Sequence, residues 1–285
     1  MRGARNGTVA GRRVEPRPAS TLMVVRDGDH PSDPLEVLMV RRSLRADFAG
    51  GAYVFPGGTL DPADAGPLAE GLCSGRDDVS ASALLGVASG GLAFWVAAVR
   101  ECFEEAGLLL AGGSDGGVVS LAGPEVSARF AHHRRELNAG RAGFLEICRA
   151  EGLALAVDGL FYFAHWITPE GAPRRYDTRF FVAAAPVDQT PAHDAGETIE
   201  DVWVRPEDAL EQYRRGEIEM VLPTVRTLGE LARYPTSRDL LEAASRPREV
   251  PAILPRITLG VSGARLLLPG DEGYDDAADP LAGGG

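Results

Sequence analysis

Hydrophobic and polar positions along the chain fall into short blocks that predict alternating strands and helices. Residues 21–26 (TLMVVR) and 35–40 (LEVLMV) are apolar and rich in β-branched side chains, which predicts two strands. The stretch between them, DGDHPSDP, is dense in turn residues, so a hairpin is expected. Residues 52–55 (AYVF) read as a third short strand, stopped by Pro56-Gly57-Gly58. Small and polar residues over 61–90 predict a loop with one helical turn at most. From Leu92 to Ala106 the pattern changes: Phe94, Ala98, Cys102 and Ala106 recur at helical spacing, and Gly107 is a natural stop.

A glycine-rich turn follows over 112–117, and 125–151 read as largely helical. Strands are expected at 160–168, 178–185 and 200–205. Helices are expected at 206–215, after a proline start, at 223–233 and near 237–245. No internal repeat is visible. The mixture predicts an α/β (α+β) fold. The expected organisation is a flexible arm over 1–18, a single domain over 19–250 and an extension over 251–285. The extension is expected to be disordered at its end, from Gly270 onward.

Composition narrows the function more than the fold. The formal net charge is −12, which argues against a nucleic-acid-binding surface. All 29 basic residues are arginine, so any lysine Schiff base or P-loop chemistry is excluded. Three widely spaced cysteines (Cys73, Cys102 and Cys148) make no disulfide framework or zinc site, and a reducing, cytoplasmic setting is expected. Residues 1–17 are arginine-rich without an apolar core, unlike a signal peptide. The longest uncharged stretch, 79–99, is broken by serines and glycines and runs into Arg100-Glu101, so no membrane span is expected.

The candidate chemistry lies in Arg100-Glu101-Cys102-Phe103-Glu104-Glu105-Ala106-Gly107-Leu108. On a helix, Glu101, Glu104 and Glu105 share one face at i, i+3 and i+4. Three crowded carboxylates repel one another unless a cation lies among them, and oxygen-only ligands suit Mg²⁺ or Mn²⁺ rather than zinc. Arg100 is placed to pair with Glu104 one turn on. A solvated helix of alternating charge is the competing reading. The apolar opposite face and the Gly-Gly turn upstream favour the metal.

This segment resembles the second half of the box that marks the Nudix hydrolases: Gly, five residues, Glu, seven residues, then Arg-Glu-apolar-any-Glu-Glu-any-Gly-apolar. Gly58 matches the opening glycine. Asp64 stands where the family has Glu, and 35 residues (65–99) follow where seven are expected. That split box is similar to the subgroup of Nudix-19-type coenzyme A diphosphatases. GAYVFPGGTLDPAD, AHWITPEGAPRRYDTRFFVA and HDAGETIEDVWVRPEDAL carry the same likeness, which covers roughly 18–260.

The resemblance implies a Nudix-like α/β/α sandwich with a mixed sheet and a helical insertion at 65–91. It implies a diphosphatase holding Mg²⁺ or Mn²⁺ through Glu101, Glu104, Glu105 and the Gly57 carbonyl, with Arg100 supporting them. A further carboxylate from a downstream loop is expected, Glu197 first and Glu200 second. Arg42, Arg174 and Arg179 are the candidates for substrate binding, with Arg175 beside them. Leu38, Arg42, Ser43, Gly51 and Phe55-Pro56-Gly57-Gly58 also fit the coenzyme A motif of the family, but Asp47 stands where its spaced arginine belongs, and Arg45 is the only nearby substitute.

Coenzyme A or an acyl derivative is therefore the expected substrate, with ADP-ribose and NADH as alternatives. A Nudix-fold module that senses a nucleotide without cutting it is the non-enzymatic alternative. The intact glutamates and Arg100 favour the enzyme. The expected partner is a small-molecule diphosphate, with neither nucleic acid nor membrane, and a homodimer is compatible with the resemblance. The split is expected to wall part of the substrate pocket. His132-His133 reads as a solvated helix face, and Trp166, Trp203 and Cys102 read as packing residues.

Overall fold

The computed structural model describes residues 14–28, 34–45, 49–113, 117–194, 196–260 and 263–277. His30, Asp47, most of the expected arm (1–13), part of the glycine-rich turn (114–116) and the end of the tail (278–285) lie outside them.

In chain order the elements begin β1 (Arg17–Asp27), β2 (Leu35–Arg42), β3 (Tyr53–Val54) and β4 (Gly57–Thr59). The insertion follows as α1 (Pro67–Leu72) and α2 (Asp78–Leu85), and then comes the box helix, α3 (Leu92–Ala106). Next are β5 (Ala111–Gly112), α4 (Pro124–Asn138), α5 (Phe144–Ala150), β6 (Ala154–Leu155), β7 (Phe161–Ile167), β8 (Tyr176–Ala184) and β9 (Thr198–Val204). The chain continues through α6 (Pro206–Arg214), α7 (Leu222–Leu231), α8 (Ser237–Ser245), β10 (Ala252–Ile253), β11 (Arg256–Gly260) and β12 (Gly263–Leu267).

The main sheet runs β10-β7-β8-β1-β2-β3, with β4 also on β1 and β9 also on β2. It is mixed: β1 is parallel to β8 but antiparallel to β2 and β4. The central strand explains the layering. Leu22 and Val24 of β1 join one core, and Met23 and Val25 join the other, all at most 1% exposed. A strand buried on both faces needs the near-continuous apolar run that TLMVV provides. The first core holds α3 through Trp95, Val99 and Cys102, and the second holds α7 and α8 through Leu228, Leu231 and Leu240. The result is the α/β/α sandwich with a mixed sheet.

α3 is buried at every position except Glu104. Trp95 lies with its ring centroid 4.5 Å from that of Phe181 on β8, and its indole N–H donates to the Leu160 carbonyl at 3.0 Å. Gly107 ends the helix at φ 71, a left-handed conformation that glycine adopts without steric cost.

Several expectations change. The loop read at 61–90 holds two helices, because Asp77 caps α2 by accepting from the Ser80 N–H. Its small residues hide the apolar period that a longer helix would show. Arg17 and Pro18 belong to β1 rather than to an arm, paired with Tyr176 and Asp177. Pro56 ends β3 only to start β4, a strand of glycines without side-chain pattern. The extension carries the β11–β12 hairpin, and residues 270–277 form turns tied to it by Arg256, which donates to the carbonyls of Tyr274 and Ala277.

Candidate active site

The site forms where β4 passes under α3. Gly57 and Gly58 lie opposite Thr21 and Ser20 of β1. A Cβ on Gly58 would stand 2.5 Å from Glu101 Oε1, and one on Gly57 would strike the Ser20 carbonyl. Both positions need glycine for space rather than for backbone freedom. The approach brings strand backbone against box carboxylate: the Gly57 N–H donates to Glu105 Oε2 at 3.0 Å.

Arg100 organises the other side. Its Nε and Nη2 donate to Asp64 Oδ1 and Oδ2, both at 2.8 Å, and Nη2 also reaches the Thr59 carbonyl at 2.9 Å. Nη1 donates to Glu101 Oε1 at 2.7 Å, whereas Glu104 is farther, at 3.4 Å. The pairing expected with Glu104 is thus the weakest of Arg100's contacts. Asp64 is 1% exposed and is delivered by a 3-10 turn, Pro62–Asp64. Asp61 caps that turn, and the Asp61 N–H returns a hydrogen bond to Asp64 Oδ2 at 2.7 Å. Burial alone would lower the Arg100 pKa, but hydrogen bonding to Asp64 and the charges of Glu101, Asp64 and Glu104 raise it instead.

The carboxylates are under the opposite stress. Burial pushes Glu105 up to about 8 and Glu101 up to about 7, and the charge of the neighbouring glutamate adds to each shift. Burial raises Glu104 as well, against the pull of Arg100. Glu197 joins them from across the site, since its charge raises all three. Asp194 shapes its loop by accepting from the N–H groups of Glu197 and Thr198 at 3.1 and 2.8 Å. Thr198 Oγ1 donates to the Glu105 carbonyl at 3.1 Å, and the Ser43 N–H donates to the Glu197 carbonyl at 2.7 Å. Glu200 lies elsewhere: it is opposite Arg41 on β2, and the Tyr53 hydroxyl donates to its Oε2 at 2.7 Å. Burial, then this bond, pushes Tyr53 up to about 12.

The arginines divide. Arg42, at the end of β2, is half-buried; its charge opposes the rise of Glu105, and its Nε is buried with no partner among the described residues. Arg179 is 4% exposed, paired with Asp177 and close to His165, and its guanidinium stacks over Phe94. Phe94 precedes Glu101 by seven residues, about 10 Å along the helix. Arg175 is buried in bonds to Thr168, Val14 and Glu170. Arg174 is exposed on the turn between β7 and β8.

As they stand, Glu101 is turned to Arg100 and Glu105 to Gly57, and among the described residues no three His, Cys, Asp or Glu side chains converge into a closed cage. The donor set nevertheless suits a hard divalent cation. It is all oxygen, it is partly desolvated, and its charges destabilise one another in the absence of a counter-charge. Two residues that matter here were not singled out by sequence reasoning. Asp194 carries only the weak signal of an Asx turn before Glu197. Arg134 of α4 donates to the Glu104 carbonyl at 2.9 Å from a segment that reads as a solvated helix.

Comparison with known proteins places the chain in a family. The profile of the NUDT19 Nudix domain matches residues 76–231. The chain is 30% identical over 281 residues to the acyl-coenzyme A diphosphatase NUDT19 of Gallus gallus, covering 86% of this chain and 74% of that protein. It is 30% identical over 285 residues to the Homo sapiens protein of the same name, covering 88% and 75%. Among solved structures, a NUDIX hydrolase from Alicyclobacillus acidocaldarius is 28% identical with a TM-score of 0.64, over 82% of this chain and 99% of that one.

Proposed function

This chain belongs to the Nudix hydrolases of NUDT19 type, and we propose on that footing that it hydrolyses the diphosphate of coenzyme A or an acyl-coenzyme A. The observation that carries the reading is the contact of the Gly57-Gly58 strand with Glu101 and Glu105 of the box helix, with Glu104 and Glu197 within electrostatic reach and Arg100 locked by Asp64. The substrate class follows the acyl-coenzyme A diphosphatase activity that names the NUDT19 relatives, and the partial motif before the box, in which Arg42 is present.

In this proposal Glu101, Glu104, Glu105 and the Gly57 carbonyl hold Mg²⁺ or Mn²⁺ within one hydrolase unit spanning 19–250, interrupted by the insertion 65–91. Such an ion, when bound, neutralises diphosphate charge and makes a coordinated water more acidic. Arg100 stays charged and fixes the Glu101 carboxylate, so the ligand face is set before substrate arrives. Glu197 is exposed, with its N–H bonded to Asp194 and its charge felt by the box glutamates, and there it takes a proton from the attacking water. Arg42 offers its unpartnered Nε to a phosphoryl oxygen. Arg179, whose Nη1 pairs with Asp177 while its buried Nε has no partner among the described residues, and Arg174, exposed on the turn between β7 and β8, are the candidates for a second phosphate contact.

Water adds across the phosphorus–oxygen–phosphorus bridge, and both products leave as phosphate monoesters. The test is product analysis: the purified chain with Mg²⁺ or Mn²⁺ should convert acyl-coenzyme A into adenosine 3′,5′-bisphosphate and the acyl phosphopantetheine. Cleavage of ADP-ribose or NADH in preference would move the substrate while keeping the reaction. Binding without cleavage of any of these would favour a sensing module.

A further inference from the structure

The helix that carries the box glutamates is finished by the loop that carries Glu197. The last carbonyls of an α-helix have no partner within it. In α3 they belong to Phe103, Glu104, Glu105 and Ala106. The Gly107 N–H takes the first at 3.0 Å. Arg134 Nε and Asn138 Nδ2, both on α4, take the Glu104 carbonyl at 2.9 and 3.2 Å. The other two go to the loop before β9. Thr198 Oγ1 lies 3.1 Å from the Glu105 carbonyl, and the Ala192 N–H donates to the Ala106 carbonyl at 2.9 Å.

Between those two anchors the backbone has to turn, and Asp194 makes the turn. Its Oδ2 accepts from the Glu197 N–H at 3.1 Å. Its Oδ1 accepts from the Thr198 N–H at 2.8 Å and lies 2.9 Å from the Thr198 hydroxyl. Burial would raise the Asp194 pKa, but these bonds lower it instead, so the side chain stays a charged acceptor. Glycine is needed at 196, where a Cβ would stand 2.9 Å from Asp194 Oδ2. On the other side, the Ser43 N–H donates to the Glu197 carbonyl at 2.7 Å. Glu197 itself is exposed, so its carboxylate takes its place from this backbone rather than from packing.

We propose that Asp194 is the positioning residue for Glu197, locking it to the C-terminal end of the box helix in the geometry that the reaction needs. The inference rests on Glu197 acting as the base, as proposed above. Asp194 touches neither substrate nor metal and acts on turnover through Glu197 alone.

The test is kcat and KM for acyl-coenzyme A with Mg²⁺ in the native chain, Asp194→Ala, Glu197→Gln and the double variant, with folding verified by circular dichroism. Asp194→Ala should lower kcat by about 10–100-fold, the scale of a misplaced catalytic group, with KM near its native value. Asp194→Asn, which keeps one acceptor oxygen, should lose less. In the Glu197→Gln background Asp194→Ala should cost nothing further, because residues that act as a unit are not additive. Mn²⁺ affinity, read by electron paramagnetic resonance, should stay native in Asp194→Ala. The proposal is overturned by native kcat in Asp194→Ala, by an equal loss in both backgrounds, or by a collapse of Mn²⁺ affinity, since the last two describe a merely structural role. Native turnover in Glu197→Gln, or none in the folded native chain, would instead overturn the reading of Glu197 as the base, and this proposal with it.

Discussion

Asp64 and Arg100 stand 36 residues apart and meet through two parallel hydrogen bonds of 2.8 Å, so the two ends of the insertion come together in space. Asp64 has a short side chain, and the 3-10 turn Pro62–Asp64 delivers it to Arg100. The pair is buried, so removing one partner strands the other. Asp64→Ala should cost about 3–5 kcal/mol in urea unfolding, with turnover falling as Glu101 loses its fixed neighbour. A change under about 1 kcal/mol would mean that the clamp contributes little to the fold.

Gly58 tests the steric half of the site. Alanine there places a methyl group in the position of the Glu101 carboxylate. Gly58→Ala should weaken Mn²⁺ binding, read by electron paramagnetic resonance, by on the order of 10–100-fold, with circular dichroism unchanged. Native Mn²⁺ affinity in this variant would remove Glu101 from the ligand set.

The insertion contributes to the box helix itself. Asp78 of α2 accepts from the N–H groups of Gly90 and Leu92, at 2.9 and 3.0 Å, and so supplies the cap that Gly91 lacks. Asp78→Ala should cost about 1 kcal/mol. Those same bonds lower the Asp78 pKa. A depressed carboxyl stabilises the fold above its unfolded value, roughly pH 3.9, and that contribution is lost as pH falls through the folded value. The difference in stability between native and variant should therefore shrink in acid. A constant difference would assign the effect to packing. The insertion was expected to wall the substrate pocket; trimming 66–88 removes this cap, so stability must be measured alongside substrate preference.

The glutamates give the opposite pH sign. Burial raises Glu105 to about 8 and Glu101 to about 7, above their unfolded value of roughly 4.3. Raised carboxyls stabilise the fold most at low pH, and the contribution is lost as pH climbs from the unfolded to the folded value. With EDTA present, the native melting temperature should fall between about pH 5 and 8. Glu105→Gln should flatten that fall, and Mg²⁺ should offset it in the native chain. A native profile as flat as the variant's would contradict the crowded-carboxylate picture.

Strong periodicity is what made this fold legible. α3 runs over the expected residues because its apolar period and terminal glycine agree, and β1, β2, β7 and β8 follow from β-branched and aromatic runs. β4 was illegible because two glycines carry no pattern, and α1 and α2 because alanine, serine and glycine blur helix into loop. Spacing alone could place Glu101, Glu104 and Glu105 on one helical face. It could not show that Glu200 pairs with Tyr53 and Arg41, a contact that exists only once β9 lies on β2. Nor could it show that Arg179 is held by Asp177, a contact made within β8 and visible only once the strand is placed.

The most direct measurement is the rate at which the Mg²⁺-supplied chain releases adenosine 3′,5′-bisphosphate from acyl-coenzyme A, native against Glu105→Gln, with folding of both verified. The account predicts steady release by the native chain and a loss of at least about 100-fold in the variant, the lower end of what a positioned catalytic group contributes. Equal rates in the two proteins, or no bisphosphate from the folded native chain, would contradict it.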